Sequence, residues 1–200
     1  MSTYVLVHGG GHGGWCWRWL TPLLRAAGHD VFAPTLTGVS DRAHARLPGI
    51  NLDTNIEDIA SLLVHEDLTE VILVGHSYGG MVITGVADRG VELALHPLPE
   101  MGRLFGIEDP DLLAWFQERV TPHPWACFTQ PLVLNDEDAV RAIPRTDFRC
   151  INALRAAEEP STVRQQDVGA NLRNVFYLET GHDLMITAPE QVAELMVKIQ

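Results

Sequence analysis

Short apolar runs alternate with amphipathic stretches along most of this chain. Five runs have the length of buried strands, namely Tyr4–Val7, Asp30–Ala33, Val71–Val74, Thr146–Cys150 and Asn174–Leu178. Four stretches carry apolar residues at helical spacing, namely Trp15–Ala27, Asp53–Glu66, Tyr78–Asp88 and Pro189–Ile199. In the second of these, Thr54 and Glu57 have the spacing of a capping box. Strands that alternate with helices predict an α/β fold with a mostly parallel sheet.

Residues 91–143 do not continue this alternation. Prolines at positions 97, 99, 110, 122, 124 and 131 divide the segment into short pieces, which predicts an inserted cap of short helices. A chain of 200 residues can bury one substantial core. We therefore expect one domain over residues 1–200, with a cap insertion at about 91–143.

Composition excludes several classes of partner. The chain has 14 basic and 26 acidic residues, a net charge of −12, which argues against nucleic acid and membrane surfaces as partners. Three cysteines at wide spacing predict neither a disulfide framework nor a metal site, and they favour a cytoplasmic location. No basic leader precedes the first strand, and no apolar run approaches the roughly 18 residues of a membrane span. We expect a monomer or homodimer that acts on a small molecule and needs no metal or organic cofactor.

The strongest motif is Gly75-His76-Ser77-Tyr78-Gly79, which fits G-x-S-x-G and lies between a predicted strand and a predicted helix. A nucleophilic serine must stand on a sharp, strained turn so that its hydroxyl clears the sheet. Glycines two residues to either side let the neighbouring backbone pass. The N-terminus of the following helix then directs free N–H groups at a developing oxyanion. The motif predicts Ser77 as a nucleophile.

The glycine-rich loop that follows the first strand allows two interpretations. It consists of the seven residues His8-Gly9-Gly10-Gly11-His12-Gly13-Gly14. Gly9, Gly11 and Gly14 satisfy the dinucleotide fingerprint G-x-G-x-x-G. That interpretation also requires an acidic residue at the end of the second strand, where Pro34 and Thr35 stand instead. An H-G-G-G oxyanion loop, whose backbone supplies an N–H group, is the favoured alternative. We expect structural roles for both histidines rather than metal ligation.

His182 follows the last predicted strand and precedes the last helix. A histidine on that loop can reach back over the sheet to the serine turn, and it follows the serine in the hydrolase order. It would take the Ser77 proton and return it to the leaving group. His182 is therefore the candidate base.

Eight segments of the chain together form a family pattern: YVLVHGGGHGGWCW, APTLTG, LDTNIEDI, VILVGHSYGGMVITGVADR, FGIEDPDLLAWF, ERVTPHP, FTQPL and ETGHDLM. With these segments the chain resembles the bacterial relatives of plant methyl-ester esterases and hydroxynitrile lyases, within the α/β-hydrolase superfamily. The resemblance implies a three-layer α/β-hydrolase fold with a small helical cap. It also implies Ser77 as nucleophile, His182 as base, and oxyanion amides on Gly10 and Tyr78.

The same resemblance bears on the pocket and the reaction. The lyases have a threonine where this chain has Gly9 and a lysine where it has Asp183, so cyanohydrin cleavage is not expected. Gly9, His12, Trp115 and Trp125 are candidates for a pocket, to which Phe116 and Phe128 of the cap would add apolar surface. Packing within the cap explains these aromatic residues equally well.

Two departures from the family pattern concern the acid and the sheet. The aspartate of the family's C-T-x-D pattern corresponds here to Ala153 of Cys150-Ile151-Asn152-Ala153. Candidate substitutes are Asn152, Asp147, Glu158 and Glu159, of which Asn152 could orient His182 without neutralising it. After Gly90 the family continues with another strand, so this chain is expected to lack one central strand. The strand over 146–150 could move over to pair with 71–74, or a longer native chain could supply the strand.

Three functions fit these residues. The favoured one is a serine hydrolase that cleaves small, largely apolar carboxylic esters through an acyl-enzyme. The second is a cofactor-free lyase or decarboxylase that uses the same oxyanion hole for an enolate. The third is a degenerate homologue that binds ligands without turnover, a hypothesis favoured by the missing acid and strand.

Overall fold

The computed structural model describes residues 1–87, 105–124, 126–156 and 172–199. These residues group into two compact units. The first comprises 1–87 and 119–137 except Trp125, and the second comprises 105–118, 138–156 and 172–199. No helix within the described ranges is both long and apolar enough to cross a membrane.

The first unit is built on three parallel strands, β1 (Thr3–Val7), β2 (Asp30–Phe32) and β3 (Val71–Gly75), in the order β2-β1-β3. Tyr4 pairs with Val31 on one side and with Ile72 on the other. Because β1 is central and covered on both faces, it is apolar at successive positions, and residues 4–7 are at most 1% exposed. The three predicted strands are present.

Three helices follow these strands in the first unit: α1 (Leu20–Ala26), α2 (Leu52–His65) and α3 (Tyr78–Ala87). The continuous helix predicted over Trp15–Ala27 is wrong, because a 3₁₀ turn over Gly14–Trp17 precedes α1. Pro22 explains the late start, since a proline is tolerated in the first turn of a helix but breaks a helix interior. Helix α1 begins two residues before it.

The cap of α2 differs from the predicted one. Asn51 is the N-cap, and its side chain accepts a hydrogen bond from the Thr54 N–H at 3.1 Å. The Thr54 hydroxyl completes the box by accepting from the Asn51 N–H at 3.4 Å. Glu57 instead accepts from the hydroxyl of Ser61. Asparagine satisfies an N-cap better than threonine does, so the helix begins one turn earlier than the Thr54–Glu57 spacing indicates.

The core of the first unit lies between the sheet and helices α2 and α3. A Cβ atom at Gly85 of α3 would collide with Ile56 of α2, so the glycine permits the close approach of the two helices. The short helix over Ala126–Thr129 closes one side of this core. Members of the core cluster include Val5, Val7, Leu36, Ile56, Ile59, Tyr78, Val82, Cys127, Phe128 and Leu132. Tyr78 connects this core directly to the serine turn.

The second unit contains strands β4 (Arg145–Cys150) and β5 (Leu172–Leu178), which pair in parallel. In the described part of the chain these two strands form a sheet of their own. No strand intervenes between α3 and β4 in the described residues. The short helix over Ala126–Thr129 in the first unit is α5. The described helices of the second unit are α4 (Pro110–Gln117), α6 (Glu137–Ala142), α7 (Ile151–Ala156), α8 (Leu184–Thr187) and α9 (Pro189–Val197).

Candidate active site

Ser77 follows His76 on the turn between the end of β3 and the start of α3. Its φ is +50°, a left-handed conformation that costs a residue with a side chain about 1–3 kcal/mol. The turn is closed by the Gly79 N–H, which donates to the His76 carbonyl at 2.8 Å, and by the Gly80 N–H, which donates to the Ser77 carbonyl at 2.9 Å. Ser77 is exposed although His76 and Tyr78 are buried. The strained turn therefore presents this one side chain.

The glycines of the motif are required by close packing. A Cβ atom at Gly75 would lie 2.6 Å from the carbonyl carbon of Gly79, and one at Gly79 would collide with the carbonyl oxygen of Val7. Both contacts would be far closer than van der Waals distance, so no residue with a Cβ atom fits at Gly75 or Gly79 without moving the backbone. The G-x-S-x-G pattern thus reflects the packing of the turn against β1.

The glycine loop after β1 lies directly against the serine turn. A Cβ atom at Gly9 would lie 3.2 Å from the Ser77 Cβ and 2.7 Å from the His76 Nδ1. The N–H groups of Gly10 and Tyr78 donate to no acceptor within the described residues. Tyr78 is the first residue of α3, where a backbone N–H has no partner within the helix. The first unit therefore offers two open backbone donors on the segments that flank Ser77.

Two histidines fix the carbonyl groups of this loop. His8 accepts from the Leu36 N–H through Nε2 at 3.0 Å and donates through Nδ1 to the Gly9 carbonyl at 2.8 Å. Burial lowers the pKa of His8 to about 4, so the ring is neutral and holds the tautomer that both bonds require. His12 donates through Nδ1 to the Gly10 carbonyl at 2.8 Å and stacks on Trp15. These contacts turn the loop carbonyls toward the protein.

A third histidine, which the sequence analysis did not single out, supports the next residue. Gly11 has a φ of +74°, and its N–H donates to the Nδ1 atom of His123 at 3.2 Å. Its carbonyl accepts from the Thr121 N–H at 2.8 Å. Burial lowers the pKa of His123 to about 3, which keeps Nδ1 free to accept. The ring packs against Tyr78, with centroids 4.6 Å apart.

The side chain of Tyr78 anchors the other flank. Its hydroxyl donates to Asn55 Oδ1 at 2.8 Å, and the Asn55 amide donates to the Thr37 carbonyl at 3.3 Å. Burial raises the pKa of the Tyr78 hydroxyl, so it remains a donor. The Cys127 thiol also donates to Asn55 Oδ1, at 3.5 Å. This chain of contacts fixes the residue whose backbone N–H flanks Ser77.

In the second unit, His182 lies on the loop between β5 and α8 and is half-buried. Its carbonyl accepts from the Cys150 thiol at 3.9 Å, and its ring lies 5.8 Å from that of Phe105. The loop is held against residues 105–106, because the Asp183 N–H donates to the Phe105 carbonyl at 3.2 Å. A Cβ atom at Gly181 would collide with the same turn. Gly181 and Asp183, on either side of His182, are therefore both held against residues 105–106.

The position of the expected acid holds no carboxylate. Ala153 lies in α7, and its neighbour Asn152 is exposed on the same helix. Asp147 of β4 is engaged elsewhere, because its carboxylate accepts from Arg145 at 2.7 Å and from Arg149 at 3.4 Å. The hydrogen bond from Arg145 is the main reason that the pKa of Asp147 is lowered.

Of the other candidates, Glu158, Glu159 and Trp125 lie outside the described residues. Trp115 is half-buried on α4 of the second unit, whereas Phe128 lies beside Gly10 in the first. One carboxylate that the sequence analysis treated only as a departure from the lyase pattern stands beside the base. Asp183 is 0% exposed, and one of its carboxylate oxygens lies within 4.8 Å of a ring nitrogen of His182.

The sequence model of the Alpha/beta hydrolase family matches residues 4–195. The chain belongs to the alpha/beta hydrolase family. Similar proteins include the carbendazim hydrolyzing esterase of Nocardioides sp. (strain SG-4G), 57% identical over 89 residues, and methylesterase 9 of Arabidopsis thaliana, 38% identical over 102 residues. Each match covers 44% of this chain, and 37% and 35% of the relative. The chain therefore spans little more than a third of the length of these curated relatives.

Solved structures agree on the architecture of the hydrolase. An extracellular alpha/beta-hydrolase from a Paenibacillus species superimposes with a TM-score of 0.78 at 19% identity, covering 99% of this chain and 98% of the other. The methylesterase protein MES16 from Arabidopsis gives 0.76 at 23% identity, covering 99% and 98%. The predicted α/β-hydrolase fold class and the family resemblance are confirmed. The dinucleotide-binding domain that the glycine loop also allowed is not the fold of this chain.

Proposed function

We propose that this hydrolase cleaves small, largely apolar carboxylic esters through an acyl-enzyme. The observation that carries the proposal is the strained, exposed Ser77 with an open backbone N–H on each flanking segment, at Gly10 and Tyr78. Acyl transfer requires a nucleophile and preorganised donors for the oxyanion at the same place.

The proposed reaction assigns one role to each group. The Ser77 Oγ attacks the ester carbonyl carbon while its proton passes to His182. The Gly10 and Tyr78 N–H groups stabilise the oxyanion, and the alcohol leaves with the proton from His182. Water then attacks the acyl carbon while one of its protons passes to His182. The bond between the acyl carbon and Ser77 Oγ breaks, Oγ takes the proton back from His182, and the acid is released.

Two further observations support this substrate class. The ring of Phe128 packs against Gly10, because a Cβ atom built there would lie only 2.8 Å from the Phe128 Cζ. Apolar surface therefore adjoins the glycine loop. Similar proteins are named a carbendazim hydrolyzing esterase and methylesterase 9, and these names support an ester as the substrate. Gly9, His12 and Trp115 stay candidates for the pocket, and Asn152 for an orienting residue.

Hydrolysis of p-nitrophenyl and methyl esters of increasing acyl length tests the proposal. Ser77→Ala should abolish turnover, whereas Ser61→Ala, which removes a half-buried hydroxyl on α2 that donates to Glu57, should leave it unchanged. Equal ester turnover by Ser77→Ala and the parent would contradict the acyl-enzyme. Release of carbon dioxide from a β-keto acid by Ser77→Ala would favour the decarboxylase, and tight binding of an apolar acid without any turnover would favour the binding protein.

The proposed setting follows the sequence. We propose a cytoplasmic location for this chain, whose three widely spaced cysteines Cys16, Cys127 and Cys150 form no disulfide. A monomer or homodimer acting on a small molecule is proposed, and sedimentation of the purified protein measures the oligomeric state.

A further inference from the structure

The second unit contains a buried carboxylate that the proposed mechanism leaves without a role. Asp183 is 0% exposed, although a buried carboxylate is costly unless an opposite charge or hydrogen bonds compensate it. It occupies the N-cap position of α8, yet its side chain makes no capping bond there. Helix capping therefore does not explain why this residue is acidic.

The geometry places this carboxylate beside the candidate base. A carboxylate oxygen of Asp183 lies within 4.8 Å of a ring nitrogen of His182. Opposite charges within about 4–6 Å favour the charged form of each other. The backbone of Asp183 holds its side chain near His182. The Asp183 N–H donates to the Phe105 carbonyl, and Asp183 has φ and ψ angles of −91° and 61°. The two side chains are thus held close without belonging to regular helix or strand.

A second titratable group beside His182 in the described part of this unit is Cys150, whose thiol donates to the His182 carbonyl. Burial raises the pKa of Cys150 to about 11, with the negative charge of Asp183 as a second cause. The thiol is neutral at ordinary pH and cannot balance a charge on the imidazole. Of these two neighbours, only the Asp183 carboxylate can supply a charge opposite to that of a protonated His182.

We propose that Asp183 takes over the electrostatic part of the missing acid and stabilises the His182 imidazolium. It acts as a positioning residue through His182, and the proposal rests on the proposed function of His182 as base. When the Ser77 O–H bond breaks and its oxygen bonds the carbonyl carbon, the proton moves to His182. The positive charge formed there is opposed by Asp183, which stays ionised. Asp147 is paired with two arginines and Asn152 is exposed and uncharged, so neither supplies this charge.

The test measures His182 directly. Its imidazole Cε1–H signal is assigned with His182→Gln and titrated by NMR in the Ser77→Ala protein, with and without Asp183→Asn. The midpoint should move to lower pH by about one unit or more when the carboxylate is removed. Glu179→Gln, which removes an exposed charge three residues before His182, should leave the midpoint unchanged. Asp183→Glu keeps the charge and should retain most of the parent behaviour.

A kinetic measurement separates charge from structure. The acid limb of kcat/KM reports the base of the free enzyme. Asp183→Asn should shift this limb to lower pH and lower the plateau at least about tenfold, since one pKa unit corresponds to a factor of ten. An unshifted titration in folded Asp183→Asn would overturn the proposal, as would a shift equal to that of Glu179→Gln. If Asp183→Asn does not fold, Asp183→Ser gives the same comparison.

The two proposals fail differently. Absence of ester turnover in the parent, with a normal Asp183-dependent titration, would refute the function and keep the ion pair. Normal turnover with an Asp183-independent titration would refute the ion pair alone.

Discussion

His123 offers a direct test of how the glycine loop is held. The ring accepts from the Gly11 N–H at 3.2 Å through Nδ1, while its buried Nε2 has no hydrogen-bond partner among the described residues. Phenylalanine would preserve the ring and its contacts with Tyr78 and Phe128 but remove the acceptor. His123→Phe therefore isolates one hydrogen bond.

The expected magnitude follows from the burial of Gly11. A buried N–H without an acceptor costs about 1–3 kcal/mol, part of which is regained because the substitution also removes the unpartnered Nε2–H. The Gly11 carbonyl stays bonded to the Thr121 N–H, so the loop should shift rather than detach. A shift of the adjacent Gly10 amide weakens oxyanion stabilisation, and loss of one such donor lowers kcat about 10²–10³-fold. Because the Gly10 donor is shifted and not lost, we expect kcat to fall by less than this, about tenfold, with KM nearly unchanged.

The assay combines ester kinetics with affinity for a boronic acid, which forms an anionic adduct with the serine. His123→Phe should lose affinity for the boronic acid in parallel with kcat, while binding of the product acid is unaffected. His123→Asn carries an acceptor near the position of Nδ1 and should recover much of the loss. Parent kcat and boronic acid affinity in a folded His123→Phe protein would refute this account of the loop.

Two further predictions concern the same loop. Gly9→Ala places a Cβ atom 3.2 Å from the Ser77 Cβ. We therefore expect the free energy of unfolding in urea to fall by about 1–3 kcal/mol and the reactivity of Ser77 to be lost. Parent-like values of both would contradict the close packing of the loop against the serine turn. Burial lowers the pKa of His8 to about 4 and of His123 to about 3, from 6.5. The unfolded chain then binds more protons below pH 6.5, so Tm should fall as pH decreases from about 6.5 toward 4, and His123→Phe should flatten this dependence.

The strands could be predicted from the sequence because buried parallel strands are apolar at successive positions. Tyr4–Val7 and Val71–Val74 show this pattern and lie in β1 and β3. The start of α1 was missed because apolar spacing continues through Trp15, whereas the backbone constraint comes from Pro22. Helical spacing alone does not reveal where the hydrogen bonds begin.

The serine turn was predictable because its requirements lie within five consecutive residues. The contacts that support it are long-range and leave no periodic signal. His123 binds Gly11 across 112 positions of the chain, and its only local sign is a polar residue between two prolines. Asp183 was visible as an acidic residue beside the base, but its burial is a property of the fold.

The proposed reaction requires Ser77 to be an activated nucleophile despite the alanine at the expected acid position. Intact mass spectrometry after a fluorophosphonate probe, followed by peptide mapping, measures this most directly. We expect a single adduct on Ser77, none in Ser77→Ala, and slower labelling of Asp183→Asn than of Glu179→Gln. A folded parent protein that forms no adduct, or forms one equally in Ser77→Ala, would contradict the proposed reaction.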